Sequence, residues 1–154
     1  MTVEEFIDYI GTSAGMVCAD YNLPASVCIA QAAIESGWGR YCIGNYNYFG
    51  RKWGGWGSYV EQSTKEYDLG YGYYDTTAKF QAYTSLDEAI QDWCILMTEE
   101  PAYKQALNVW HRTWDVEAFV RTMSRVYATD PDYADKILAT IRANNLMRFD
   151  GWDD

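Results

Sequence analysis

The chain has 154 residues, 49% of them hydrophobic and only 3 prolines, which describes a folded chain long enough for one domain rather than a disordered one. A net charge of −10 with no cluster of Lys or Arg argues against a nucleic-acid partner, because neutralising phosphates takes a basic surface. No run approaches the ~20 apolar residues of a membrane span, and the acidic, helix-patterned start MTVEEFIDYI is not a secretory signal.

Thr2-Val-Glu-Glu5 is spaced as a capping box, and it opens a first helix expected to run to about Tyr21. Asn22-Leu-Pro24 breaks that helix, and Pro24 suits the start of a second. Eight of the ten residues from Ala25 to Ile34 are apolar, so the second helix belongs inside a core. It is expected to end at Glu35 or Ser36, with Gly37 as its left-handed cap. From Tyr41 to Tyr74 glycine and aromatic residues dominate, and helix is excluded. Within that region SYVEQSTKEYD and TTAKFQAY read as two short strands joined around Gly70 and Gly72. Ser85-Leu-Asp-Glu88 is a second capping box, opening a helix with Ala89, Ile90, Trp93 and Leu96/Met97 on one side. Pro101 begins a short helix, and about Asp115 to Arg125 forms another. Asp130-Pro131 is expected to cap the last, which has Tyr133, Ile137 and Ile141 on one face. The class is α+β, mainly α: a single domain over 1–154, helical, with one small hairpin lobe inserted after the second helix.

Cys18, Cys28, Cys42 and Cys94 form no CxxC pair and His111 is the single histidine, so neither zinc nor any other metal or cofactor is expected. Cys28 and Cys94 suit free buried thiols; one disulfide among Cys18, Cys28 and Cys42 stays open. Met97 and Met123 read as core, and His111 as a surface residue. Glu35 is the unusual group. The negative end of its helix and its apolar neighbours both disfavour ionisation, which makes it a candidate general acid. The plainer alternative is a glutamate that emerges into water as the helix ends. Glu66, on the first strand, is a solvated residue by itself. Together with Glu35 across a cleft it completes the minimum set for breaking a glycosidic bond. Seven Trp and 14 Tyr suit a core plus an aromatic groove for a neutral or sugar-like polymer. Trp53 and Trp56 either stack on sugars or pack the hairpin.

The blocks IAQAAIESGWGR, NYFGRK, STKEYD, KFQAYTS and VYATDPDYADKI occur in this order between Val17 and Ile141. In order and spacing the chain resembles the glucosaminidase domains of glycoside hydrolase family 73, found in autolysins, flagellar wall hydrolases and phage lysins. The resemblance implies a lysozyme-like fold and an endo-β-N-acetylglucosaminidase acting on peptidoglycan glycan strands, secreted or phage-delivered; separately, a monomer is expected. It also implies Glu35 as general acid, Glu66 as base or charge stabiliser, and Tyr127 beside the reaction centre. Asn47, Tyr48, Phe49 and Gly50 match the sugar-binding floor, and Trp53, Trp56 and Tyr67 complete the expected substrate-binding set. Val126 departs from the glycine usual before that tyrosine. The rival activities are a muramidase or a lytic transglycosylase of the same fold. A rival of another class is a non-catalytic wall-binding module or phage structural component. A chain at −10 meets an anionic wall at some electrostatic cost, so a separate anchoring module or a phage tail is expected to deliver it.

Overall fold

In the computed structural model residues 1–151 are described; the final three positions of the expected 1–154 domain, residues 152–154, lie outside the described residues. Helix α1 (Val3–Asp20) starts as its capping box dictates. Thr2 Oγ1 accepts the Glu5 N–H at 3.1 Å, and Glu5 Oε1 accepts the Thr2 N–H at 2.9 Å. Its buried side, including Phe6, Ile10, Ala14 and Cys18, lies against α2 (Ala25–Ser36).

Every residue of α2 from Val27 to Ala33 has 0% exposure. Its alanines let α1 and the later helices close on it from all sides. Pro24, the N-cap, has no side chain with which to satisfy the first N–H groups. Asp150 does so from the far end of the chain, accepting Ser26 N–H at 2.7 Å and Ser26 Oγ–H at 2.8 Å. A carboxylate there also meets the positive end of the helix dipole. At the other end Gly37, Trp38 and Gly39 take left-handed φ values of 57°, 60° and 83° in succession, and the chain turns away immediately after Glu35 and Ser36.

The hairpin pairs β1 (Ser58–Asp68) with β2 (Gly72–Ala82) in unbroken antiparallel register, from Ser58 opposite Ala82 to Asp68 opposite Gly72. The second strand begins four residues before the expected TTAKFQAY segment. Tyr73 packs edge-on against Tyr67 at 5.1 Å, and this cross-strand pair carries the ladder into the Gly- and Tyr-rich stretch. Side chains alternate between faces. Val60, Thr64, Glu66, Tyr74, Thr76 and Phe80 share one face, on which Val60, Thr64 and Thr76 are partly buried and Phe80 is buried; Tyr67 and Tyr73 are on the other.

Helices α3 (Leu86–Glu99), α4 (Lys104–Thr113), α5 (Val116–Tyr127) and α6 (Tyr133–Ala143) complete the body, with short 3-10 turns at Pro101–Tyr103 and Leu146–Phe149. The second capping box is shifted: Ser85 Oγ accepts the Glu88 N–H, but the Glu88 carboxylate reaches the N–H of Thr84 instead of Ser85. Helix α6 starts later than expected, with Asp132 as its N-cap. Asp130 closes a turn by accepting the Asp132 N–H at 2.8 Å rather than capping the helix. Trp93, Trp110, Phe119, Met97 and Met123 fill the core. All four cysteines are free thiols, so the disulfide among Cys18, Cys28 and Cys42 is not formed; Cys18 instead packs its sulfur 3.8 Å from that of Cys94. His111 is exposed and leans on Trp114.

Candidate active site

A cleft of about 350 Å³ opens where α2 ends. Glu35 lines it together with Phe49, Gly50, Arg51 and Lys52 from the loop before the hairpin, Leu96 from α3, Tyr103, and Tyr127 and Ala128 at the end of α5. Gly50 has φ +67°, and a β-carbon added to it would lie 3.9 Å from Glu35 Oε2. The loop backbone therefore passes directly beside the carboxyl group, in a conformation glycine adopts without strain.

Glu35 is held by a buried relay that begins one helical turn earlier. Trp93 Nε1–H donates to Gln31 Oε1 at 2.6 Å, and the Gln31 amide donates to Tyr133 Oη at 3.2 Å and to Met123 Sδ at 3.7 Å. Tyr133 O–H then donates to Glu35 Oε1 at 3.1 Å. Tyr127 stacks on Tyr133 with ring centroids 5.6 Å apart and donates its own hydroxyl to the Phe49 carbonyl at 3.3 Å. Each partner fixes the next, so the carboxyl group is oriented by the core.

Glu35 is open to the cleft, yet the mass of protein around it limits its solvation. That desolvation holds its pKa above the ordinary carboxylate value, while the hydrogen bond from Tyr133 acts in the opposite direction. Burial pushes the phenols of Tyr127 and Tyr133 well above the usual tyrosine range, and the charge of Glu35 adds to both shifts. Both remain hydroxyl donors at neutral pH. The arrangement presents a carboxyl group biased towards its protonated form, flanked by neutral donors, in a cleft large enough for a sugar: the equipment of a general acid.

The residues expected from the sequence separate into groups. Glu35, Phe49, Gly50 and Tyr127 meet in the cleft. Asn47 and Tyr48 are buried behind it. Asn47 donates to the carbonyls of Arg51 and Gln81, both at 2.9 Å, and accepts the Arg51 N–H at 3.0 Å; it shapes the Phe49–Gly50 loop from below. Tyr48 packs between Phe6 and Tyr9. Glu66 is exposed and does not line the cleft; Lys52, which does, lies 3.8 Å from Glu66 Oε1. Trp53 packs on Tyr59, and its indole N–H donates to the Trp56 carbonyl, so these tryptophans brace the base of the hairpin. Tyr67 is on the opposite face of the hairpin from Glu66.

Residues 11–146 match the glucosaminidase family, described as mannosyl-glycoprotein endo-beta-N-acetylglucosaminidase. The chain belongs to this family. Among solved structures, the catalytic domain of the autolysin Auto from Listeria monocytogenes superposes with a TM-score of 0.83 at 34% identity, covering 96% of this chain and 87% of that one. Peptidoglycan hydrolase FlgJ of Salmonella typhimurium is 32% identical over 152 residues, covering 94% of this chain and 47% of FlgJ. Exo-glucosaminidase LytG of Bacillus subtilis is 32% identical over 152 residues, covering 94% of this chain and 52% of LytG. The chain thus spans about half the length of these curated relatives.

In this glucosaminidase-family chain, several cleft and relay residues lie outside the set expected from the sequence. Arg51 and Lys52 directly follow the Asn47–Gly50 block, and that adjacency was a usable signal. Gln31 was another: it is an amide in the middle of an apolar helix, four residues before the candidate acid. Tyr133 belongs by spacing to a core-facing stripe with Ile137 and Ile141, and no local pattern marks its hydroxyl. Leu96 and Tyr103 carry no such signal, since only tertiary packing brings α3 and the Pro101–Tyr103 turn to the cleft.

Proposed function

We propose that this chain is a peptidoglycan hydrolase that cleaves the β-1,4 bond after N-acetylglucosamine, with Glu35 protonating the leaving oxygen. The observation that carries this reading is the Glu35 carboxyl group, raised in pKa and fixed by Tyr133 in a sugar-sized cleft. Membership of the glucosaminidase family and the names of the relatives support the choice of bond and of polymer. Asn47, Phe49 and Gly50 shape the floor, and Tyr127 places a ring beside the acid. Glu66 serves as base or charge stabiliser when the hairpin carries it inward on the bound strand. Its ion pair with Lys52, which joins two half-exposed side chains, offers little resistance to that movement. The site of action is the bacterial wall.

Lytic transglycosylation is the second reading, and one observation favours it: Glu66 stands outside the cleft lining, while that reaction manages with a single carboxyl group. Mass spectrometry of borohydride-reduced fragments from purified peptidoglycan separates the readings. Reduced N-acetylglucosamine ends are expected. Muramic-acid ends would indicate a muramidase, anhydro ends a transglycosylase, and no new ends a binding module.

A further inference from the structure

A second hollow, of about 630 Å³, lies beside the cleft, bounded by the end of α5, the 128–131 loop and the start of α6. Tyr127 and Ala128 line both spaces and form the wall between them. Two guanidinium groups line the hollow, in a chain whose net charge is −10. Their situations differ. Arg121 is matched by Glu117 at 3.1 Å and Asp135 at 3.2 Å. Arg125 is exposed, and no described residue pairs with it. Asp130, the acid in the lining, is occupied by Lys136 at 2.6 Å and leaves the Arg125 charge uncancelled. Next to Arg125, Ser124 is 5% exposed and its hydroxyl makes no hydrogen bond, so a change of rotamer there sacrifices no existing bond.

A neutral sugar strand has no use for an uncancelled cation. The hollow is also far larger than a small anion needs, and its volume is within the range of clefts that hold an organic ligand. Peptidoglycan carries short peptides branching from its glycan, and those peptides end in or contain carboxylates, the planar partner that a guanidinium matches best. On the wall-hydrolase reading above, we infer that this hollow is a subsite for a carboxylate of the peptide stem, held by Arg125 while the glycan occupies the Glu35 cleft. The Tyr127–Ala128 wall then separates the two parts of one substrate: sugar on the Glu35 side, peptide on the Arg125 side.

The test is a calorimetric titration of the full chain carrying Glu35→Gln, so that the ligand stays intact. The ligands are a soluble muropeptide with free stem carboxylates and the same muropeptide with those groups amidated. The free form is expected to bind about tenfold more tightly, the effect of one charged hydrogen-bonded pair. Adding Arg125→Ala is expected to bring that ratio close to one, and Arg125→Lys to restore part of it; Arg125 is exposed, and thermal melts check that the fold is kept. A ratio near one in the starting protein, or a ratio that survives Arg125→Ala, overturns the inference. So does inorganic phosphate that competes as well as the muropeptide, since that marks a general anion site. Failure of the hydrolase reading is recognised separately, by wild-type protein that releases no new ends from whole wall whatever the titration gives.

Discussion

Glu35 and Glu66 are the same residue type on two different kinds of support. Glu35 follows a helix segment with no exposed residue, and a relay of three side chains positions its carboxyl group from within the core. Glu66 stands on a strand with no fully buried residue, paired only across 3.8 Å with a lysine that is itself half exposed. Moving Glu35 would take from the buried Tyr133 hydroxyl its acceptor, at about 1–3 kcal/mol. Moving Glu66 gives up an exposed ion pair worth about 0–1 kcal/mol. The body is therefore suited to setting a proton affinity, and the lobe to changing position.

The largest effect expected from that contrast is on Glu35 itself. Glu35→Gln should lower kcat on peptidoglycan by about a thousandfold, within the range for loss of a general acid. Its melting temperature at pH 7 should stay level or rise. The folded-state pKa of Glu35 is raised, so its contribution to stability is fully present below the ordinary carboxylate pKa and lost as pH rises through the folded value. Glutamine escapes that loss. A variant that keeps wild-type activity would break the comparison outright.

Glu66→Gln should follow, with kcat down by about a hundredfold and stability changed by less than about 0.5 kcal/mol. Full activity in this variant, together with anhydro product ends, would transfer the chemistry to Glu35 alone. A third effect, about tenfold on kcat, is expected from Tyr133→Phe. Losing the donor removes stabilisation of the Glu35 carboxylate, so the alkaline limb of kcat/KM against pH should move upward. A slower enzyme with an unmoved limb would mean that Tyr133 matters only to packing. The smallest is Gly50→Ala. A β-carbon at φ +67° strains the loop by about 1–2 kcal/mol, and a fall of a few-fold in kcat should accompany the lower melting temperature.

Much of the fold was legible because it depends on neighbours in the chain. Thr2 and Glu5 are three residues apart and cap α1 by themselves, and Gly37 ends α2 through its own backbone freedom. The hairpin was legible in position but not in length, since the Tyr67–Tyr73 contact exists only after the strands have paired. In the site, Glu35 was recognisable as an ionisable group closing an apolar helix. Asn47 and Tyr48 adjoin the cleft residues in sequence, yet they turn inward, and nothing in a glycine-rich loop shows which of these successive residues faces the cleft.

By itself, then, the sequence determined the helices and their ends, the hairpin lobe, and the candidate acid, because capping, periodicity and turn chemistry act over three or four residues. The tertiary structure alone decided what orients that acid and what lies beside it. Tyr133 reaches Glu35 across 98 positions, Asp150 caps α2 across 124, and the Arg125 hollow exists only where α5 and α6 meet. Contacts at such separations depend on how the helices pack around α2, and a local stretch of sequence carries no record of that packing.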